Sequence, residues 1–262
     1  MRTALTIAGS DSSGGAGIQA DLKTFAAFGV YGVSAITAVT AQSTTGITAS
    51  AALSADLVTA QIETLAGDIA IHATKTGMLA TAAIVEAAAA AIEELELPLV
   101  VVDPVMVSTT GTRLLDDDGV QTMRTELLQR ARVVTPNFPE AEVLSGKRIE
   151  TDDDVRAAAR RIHDMGAAAV IITGGHGTGR ESIDLLFDGR AFTELRTRRV
   201  GRVPVHGTGC AFAAASAACL ARGDSLAEAA RTAQAYVAGG IRHAVRIGRG
   251  AAVLDHGVIL RS

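Results

Sequence analysis

Apolar runs of strand length alternate with helix-period segments along nearly the whole chain. This alternation predicts one α/β domain over residues 1–262, with a mainly parallel central sheet and helices on both faces. Strands are predicted at residues 5–8, 33–40, 99–102, 133–134 and 168–172, and an antiparallel pair at 183–200 that turns at Asp188-Gly189. Helices are predicted at 18–28, 57–65, 84–92 and 155–165, with two more beginning near 208 and 227. Glycine and polar clusters mainly follow strands, so we expect ligands at the carboxyl edge of the sheet.

Composition narrows the class of protein. Of the 262 residues, 48% are hydrophobic and 20% are charged, with a net charge of −4, which excludes disorder and argues against a nucleic-acid partner. Cys210 and Cys219 are too few for a disulfide framework or a four-ligand zinc site. No uninterrupted apolar run approaches about 18 residues, the length that a membrane span needs. We expect a cytoplasmic protein without a membrane partner.

A glycine-rich loop follows the first predicted strand, at residues 8–21. Its Gly15-x-Gly17-x-x-Ala20 pattern permits a dinucleotide-dependent oxidoreductase. That function also needs an acidic residue after the second strand, where this chain has Gln42, so we disfavour it. The polar run at residues 10–13 favours a binding loop over a purely tight strand–helix connection. Asp21 lies in the first turns of the helix, where an acid also complements the helix dipole.

A second glycine-rich segment is the GTGC turn, residues 207–210, which leads into a strong helix-forming sequence. Unpaired N–H groups at such a helix start attract anions and suit the charge of a transferring phosphoryl group. Cys210 in this first turn is predicted to have a lowered pKa and to be partly thiolate. The alternative for Cys210 is a small buried side chain on a core helix.

Carboxylates follow two further predicted strands. Asp103 comes after three valines, and Asn137 and Glu140 follow the strand at 133–134. Oxygen ligands at strand ends suit Mg²⁺ with nucleotide phosphates. Asn137 and Glu140 also have the spacing of a helix capping box, and the sequence does not decide between the two roles. The GxxxxGK[ST] motif and the protein-kinase HRD and DFG motifs are absent from the sequence.

Eight ordered segments together resemble the hydroxymethylpyrimidine and phosphomethylpyrimidine kinases of thiamine biosynthesis, within the ribokinase-like superfamily. They span almost the full chain, at residues 6–25, 37–44, 75–79, 101–107, 135–142, 173–176, 184–186 and 206–210. The resemblance implies a three-layer α/β fold. It also implies transfer of the ATP γ-phosphoryl group to 4-amino-5-hydroxymethyl-2-methylpyrimidine phosphate, and in many members to the free alcohol.

The resemblance also assigns roles to individual residues. Gly9, Asp21, Gln42 and Met78 would line the pyrimidine pocket, and Asp103, Asn137 and Glu140 would hold Mg²⁺ and phosphate. Gly207, Thr208 and Gly209 would form the anion hole, with Cys210 at the position of the catalytic aspartate of many sugar kinases, and Thr173 and Gly175 would contact ATP. A thiolate at Cys210 would then serve as the base for the alcohol acceptor. The resemblance further suggests a homodimer.

Two departures from the family pattern concern lysines. Thr173 precedes Gly-Gly-His where relatives commonly have lysine, and Thr109 lies where they commonly have another. Lys75 or Arg198 would have to compensate for the missing charges. Two alternatives remain: a pyridoxal-type kinase, because pyridoxal also carries a hydroxymethyl group, and a non-catalytic pyrimidine-binding protein.

Overall fold

A nine-stranded sheet forms the centre of the computed structural model, which describes residues 1–108, 111–174, 179–200 and 205–257. The strands are β1 (Thr3–Asp11), β2 (Tyr31–Ser43), β3 (Gly46–Ala52), β4 (Ala73–Thr76), β5 (Val100–Val102), β6 (Val133–Val134), β7 (Val170–Ile172), β8 (Glu181–Phe187) and β9 (Phe192–Arg198). Their order is β3-β2-β1-β4-β5-β6-β7-β8-β9. From β2 to β7 neighbours are parallel, whereas β3, β8 and β9 pair antiparallel at the two edges.

Helices cover both faces of this sheet. They are α1 (Gly17–Ala27), α2 (Ala55–Asp68), α3 (Ala82–Glu94), α4 (Asp117–Thr122), α5 (Phe138–Ser145), α6 (Asp152–His163), α7 (Thr208–Arg222) and α8 (Leu226–Arg242). A π-helical turn (Met123–Leu127) and a 3-10 turn (Leu128–Arg130) continue from α4. A separate parallel pair joins β10 (Val205–His206) to β11 (Ala252–Val253). No helix in the described part of the chain is long and apolar enough to span a membrane.

Alternate side chains of each central strand enter two different hydrophobic clusters. In β1, Leu5 and Ile7 pack on the side of α2, α3, α5 and α6, whereas Ala4 packs on the side of α1, α7 and α8. In β5, Val100 and Val102 pack on the first of these sides and Val101 packs on the second. A strand buried on both faces explains the nearly continuous apolar runs of the sequence. The three-layer α/β fold predicted from the sequence is confirmed.

The structure contains strands that the sequence did not predict, and they lie where polar residues are buried or small residues are exposed. The strand β4 is Ala73–Thr76 and includes a buried lysine, so its short polar sequence gave no strand signal. The edge strand β3 consists largely of exposed small residues and was not predicted. The Pro-flanked turn predicted near residue 137 is followed by the helix α5, which begins after Asn137. The antiparallel pair β8–β9 and both C-terminal helices are confirmed.

Candidate active site

A cavity of about 920 Å³ opens at the carboxyl edge of the parallel strands, as expected for this fold class. It is lined by the ends of β1, β4, β5, β6 and β7, by the start of α7 and by one face of α8. This volume lies in the range of small-molecule and cofactor sites, about 300–1,000 Å³. Eleven of the residues that the resemblance assigns to the site line it: Gly9, Gln42, Met78, Asp103, Asn137, Glu140, Thr173, Gly207, Thr208, Gly209 and Cys210.

Gly9 and Met78 form one wall of the cavity in direct contact. A Cβ atom at Gly9 would lie 3.0 Å from the Met78 sulfur, so glycine makes room for the thioether. The Met78 carbonyl oxygen accepts a 2.6 Å hydrogen bond from the hydroxyl of Thr37, which fixes the backbone at this point. A flexible apolar side chain on a fixed backbone suits the face of a planar ring.

Gln42 belongs to a polar network with His206 and Asp11. The Gln42 amide nitrogen lies 3.1 Å from Nε2 of His206, and the same Nε2 lies 3.0 Å from the Asp11 carboxylate. Burial opposes ionisation of Asp11, but hydrogen bonds from His206, Ser13 and Ala16 outweigh it and lower the Asp11 pKa. Asp11 therefore stays anionic and holds both its own loop and the imidazole beside the cavity.

Asp21 does not line the cavity. Its side chain is fully buried beneath the floor, where the carboxylate accepts a 2.6 Å hydrogen bond from Thr6 and a 2.9 Å hydrogen bond from Lys75. This placement differs from the expected pocket lining because Lys75 stands between Asp21 and the cavity. Asp21 therefore forms an ion pair with Lys75 and does not contact the cavity directly.

The GTGC turn forms the start of α7. Gly207 is the N-cap residue with φ +85°, and no side chain caps the helix. An added Cβ at Gly207 would lie 1.8 Å from the carbonyl oxygen of Gly15, so the turn packs directly against the first glycine-rich loop. The first N–H groups of a helix have no partner within the helix and attract anions. The structure therefore fits an anion hole at Gly207, Thr208 and Gly209.

We expect Gly207→Ala to impair the anion hole and to destabilise the fold. A left-handed conformation costs a non-glycine residue about 1–3 kcal/mol, and the clash with Gly15 adds to this. Gly223→Ala is the matched control, because Gly223 ends the same helix with φ +99° and no heavy atom lies within 4 Å of its added Cβ. Thermal unfolding and phosphoryl transfer should show both losses for Gly207→Ala and only the smaller stability loss for Gly223→Ala. Equal effects would contradict the packing argument.

The predicted lowering of the Cys210 pKa is wrong for this structure. Burial raises the pKa of Cys210 to about 12, and the charges of Asp103 and Asp21 add to this effect against the opposing influence of Lys75. Neither Lys75 nor a backbone hydrogen bond from Gly17 outweighs the loss of hydration and the two carboxylates. The thiol is therefore neutral at pH 7 and is not a ready base.

Asp103, Asn137 and Glu140 meet on another wall of the cavity. The capping box is present: the Asn137 side chain accepts from the Glu140 N–H at 3.0 Å, and Glu140 accepts from the Asn137 N–H at 2.9 Å. Burial, reinforced by the charge of Asp103, raises the pKa of Glu140 to about 8. Burial also raises the pKa of Asp103 despite the nearby Lys75. Two nearby carboxylates that resist ionisation together are suited to a cation.

An apolar face of α8 lines a further part of the cavity. Gln234, Val237, Ala238 and Ile241 recur at helical spacing, so they share one side of the helix. Gln234 donates to the Asp184 carboxylate at 2.9 Å, and the same carboxylate accepts from the Gly174 N–H at 2.7 Å. Asp184 therefore connects α8 to the end of β7, where Thr173 lies.

Lys75 and Arg198, the two candidates to replace the missing lysine charges, differ in their access to a ligand. Lys75 is fully buried and bonded to Asp21, so its ammonium group is not available to nucleotide phosphates. Arg198 is exposed and lines the cavity at the end of β9, where it suits an anionic ligand. Thr109 and Gly175 lie outside the described residues.

Four residues form the polar framework of the site: Asp11, His206, Asp184 and Gln234. The first three lie inside motifs already singled out, but the motifs did not reveal their partners. Gln234 lies on α8 outside every motif, so sequence reasoning missed it. Lys75 was considered as compensation for missing charge, but its burial beside Asp21 was not predicted, because a lysine in a polar tetrapeptide is usually exposed.

The fold and site define a ribokinase-like phosphotransferase. The phosphomethylpyrimidine kinase family model matches residues 11–255, and the chain therefore belongs to that family. A Bacillus subtilis hydroxymethylpyrimidine/phosphomethylpyrimidine kinase is 45% identical, with 97% of this chain and 94% of the relative covered. A thiamine biosynthesis bifunctional protein of Geobacter sulfurreducens is 45% identical over 96% of this chain, which spans only 51% of that longer relative.

Solved structures with this fold include two kinds of vitamin kinase. A Staphylococcus aureus pyridoxal kinase in complex with AMP-PCP and pyridoxal gives a TM-score of 0.92 at 39% identity, covering 100% of this chain and 95% of the other. A Clostridium difficile phosphomethylpyrimidine kinase gives a TM-score of 0.81 at 38% identity, covering 90% and 98%. The kinase family match gives no support to the dinucleotide-dependent oxidoreductase.

Proposed function

We propose that this protein transfers the γ-phosphoryl group of ATP to 4-amino-5-hydroxymethyl-2-methylpyrimidine phosphate in thiamine biosynthesis, and also phosphorylates the free alcohol. The supporting observation is that one cavity contains the ring-sized wall at Gly9 and Met78, the uncapped GTGC turn and the paired carboxylates. The Gln42 amide contacts His206 through its nitrogen and accepts from Thr40 through its oxygen, which leaves a second N–H and a second lone pair for an aminopyrimidine edge. The apolar face of α8 suits the adenine base.

The residues at the carboxylate wall fit a magnesium ion. Asp103 Oδ2 is buried and accepts no hydrogen bond from the described residues, its nearest cation being Lys75 Nζ at 3.7 Å, and Glu140 is held by its cap. Mg²⁺ commonly takes one or two carboxylates and keeps several waters, so this donor set suffices even though the described residues contain no cluster of three His, Cys, Asp or Glu side chains that would hold a metal. Bound there, Mg²⁺ would neutralise charge on the ATP phosphates.

The neutral thiol at Cys210 favours the monophosphate as acceptor. The attacking oxygen of a phosphate monoester is mostly ionised at pH 7, because its second pKa is about 6. The monophosphate therefore needs no base, and a neutral side chain does not repel it. The GTGC turn would hold the transferring group, and its N–H groups would stabilise the charge on the equatorial oxygens. The free alcohol must lose a proton and is expected to be the slower acceptor.

Pyridoxal is a second candidate acceptor, and the specific observation for it is the whole-chain similarity to the S. aureus pyridoxal kinase that binds it. The test is ADP release by the purified protein with ATP and Mg²⁺, comparing the pyrimidine monophosphate, the free hydroxymethylpyrimidine and pyridoxal. We expect the highest kcat/KM for the monophosphate. A preference for pyridoxal would change the substrate, and ADP release with none of the three would favour a non-catalytic binding protein.

We further propose a cytoplasmic homodimer. Cys210 and Cys219 are free thiols, consistent with a reducing compartment. Among the described residues, the edge strand β3 pairs with β2 on one side only and exposes small residues, which suits contact with a second copy. Light scattering on the eluting protein distinguishes a dimer from a monomer of 26.8 kDa.

A further inference from the structure

Lys75 is a charged side chain in the centre of the fold. It lies in β4, its side chain is fully buried, and its ammonium nitrogen is 2.9 Å from Asp21 Oδ2 and 3.7 Å from Asp103 Oδ2. A buried cation loses several kcal/mol of hydration, which its partners must offset. A methionine or leucine would fill such a core position without that cost. Packing alone therefore does not explain why this position is a lysine.

The local backbone is shaped to admit the ammonium group. A Cβ atom at Gly77 would lie 2.7 Å from Lys75 Nζ and 3.0 Å from the Ala8 Cβ, so any larger residue would displace the lysine or the neighbouring strand. The side chain consequently reaches the cavity floor rather than solvent. Asp21, in the second turn of α1, accepts a 2.9 Å hydrogen bond from the ammonium group and holds it there.

The position of Lys75 joins it to the reacting end of the cavity. Asp103 and Cys210 line the cavity directly, and the Asp103 carboxylate lies 3.7 Å from the ammonium nitrogen. The Asp21 carboxylate, 2.9 Å from Lys75 Nζ and fully buried with it, offsets the lost hydration of the charged ammonium group. The lysine is therefore a permanent positive charge below the GTGC turn and beside the carboxylate proposed to hold Mg²⁺.

We propose that Lys75 is a positioning residue for phosphoryl transfer, which orients Asp103 and supplies fixed positive charge below the anion hole, and that Asp21 holds Lys75 in place. This inference rests on the proposed function. Phosphoryl transfer spreads negative charge over the equatorial oxygens, and a fixed charge in a site shielded from water stabilises it without reorganisation. Because the Lys75 side chain is fully buried and its ammonium group is bonded to Asp21, its loss should reduce kcat and leave the KM for ATP nearly unchanged.

A charge-balanced double variant tests this proposal. Lys75→Met alone leaves two buried carboxylates without their cation and is expected to unfold readily. Asp21→Asn/Lys75→Met removes the whole ion pair, so it should regain most of the thermal stability. We expect kcat of this folded double variant to fall by about 10²–10³, the range seen on removing one oxyanion-hole donor, with the KM for ATP within about threefold. Asp21→Asn alone, which keeps the cation and an isosteric side chain, should lose much less kcat.

The outcomes separate this proposal from a structural role and from the proposed function. A double variant with wild-type kcat would overturn it, as would a double variant whose loss lies in the KM for ATP. An unfolded double variant accompanied by a wild-type kcat in Asp21→Asn would also overturn it, because Asp21 would then not hold a group that the reaction needs. If the wild-type protein itself transfers no phosphoryl group to any of the three acceptors, the proposed function fails instead.

Discussion

Replacing Cys210 with aspartate is expected to reverse the preference between the two pyrimidine acceptors. A carboxylate here would add negative charge beside Asp103 and Asp21, where the monophosphate dianion must approach. Two unit charges 4 Å apart interact by about 4 kcal/mol at an effective dielectric constant of about 20. The ratio of kcat/KM for the monophosphate to that for the alcohol should therefore fall by about a hundredfold or more. The alcohol is uncharged, and a carboxylate can accept its proton.

Cys210→Asn is the matched control for this change, because asparagine has the shape of aspartate without its charge. Because asparagine adds no charge, we expect the ratio of kcat/KM for the two acceptors to stay within about threefold of the wild-type ratio. A threefold change corresponds to less than about 1 kcal/mol. The measurement is steady-state kinetics with both acceptors at one pH. Equal losses for both acceptors in Cys210→Asp would show that charge at this position does not set the preference.

Glu140→Gln is expected to separate the capping role of this residue from its proposed metal role. Glutamine can form the capping box with Asn137, so α5 should keep its start. The anionic oxygen proposed for Mg²⁺ is lost, and kcat should fall on the order of a hundredfold, because a bound metal ion contributes several kcal/mol of charge stabilisation. Stabilisation of the protein by Mg²⁺ with a nucleotide, measured by thermal unfolding, should also be reduced. If the variant keeps the wild-type kcat and the wild-type response to Mg²⁺, Glu140 caps α5 and does not bind the metal.

The same substitution predicts a pH effect on the metal-free protein. The Glu140 pKa is raised from 4.5 to about 8 in the folded state, so between these values the folded protein binds more protons than the unfolded chain. The free energy of unfolding should therefore decrease as the pH rises through this interval. Glu140→Gln should flatten that decrease, whereas Glu142→Gln on the same helix, which keeps an acceptor for the Ile149 N–H, should not. Parallel curves for the wild type and Glu140→Gln would contradict the burial of this carboxylate.

The sequence predicted most where a polar or glycine-rich motif lies directly at the end of a strand or the start of a helix that the hydrophobic pattern also predicts. The alternation of valine-rich strands and alanine-rich helices predicted the three layers, because both faces of a parallel sheet are buried. Asp103, Asn137 and the GTGC turn follow strands or begin helices, so their meeting at one edge follows from the topology. The resemblance to known kinases supplied Gly9, Gln42 and Met78; the contact between Gly9 and Met78 has no local sequence signal.

What the sequence did not predict depends on long-range burial. The pKa of Cys210 was expected to be lowered by a helix start, but Asp103 and Asp21 come from distant parts of the chain and raise it together with desolvation. The family resemblance placed Asp21 in the pocket, whereas Lys75, 54 residues later, lies between it and the cavity. Such effects depend on which charges the fold brings together, and periodicity does not report this.

The most direct test of the proposed reaction is ³¹P NMR of the purified protein with ATP, Mg²⁺ and the pyrimidine monophosphate. ADP release alone also reports hydrolysis of ATP, whereas the spectrum identifies the acceptor. We expect the monophosphate resonance to disappear as two coupled diphosphate resonances of the pyrimidine product appear, with ADP formed in equal amount. Inorganic phosphate and ADP in place of the pyrimidine diphosphate, with the monophosphate unchanged, would contradict the account.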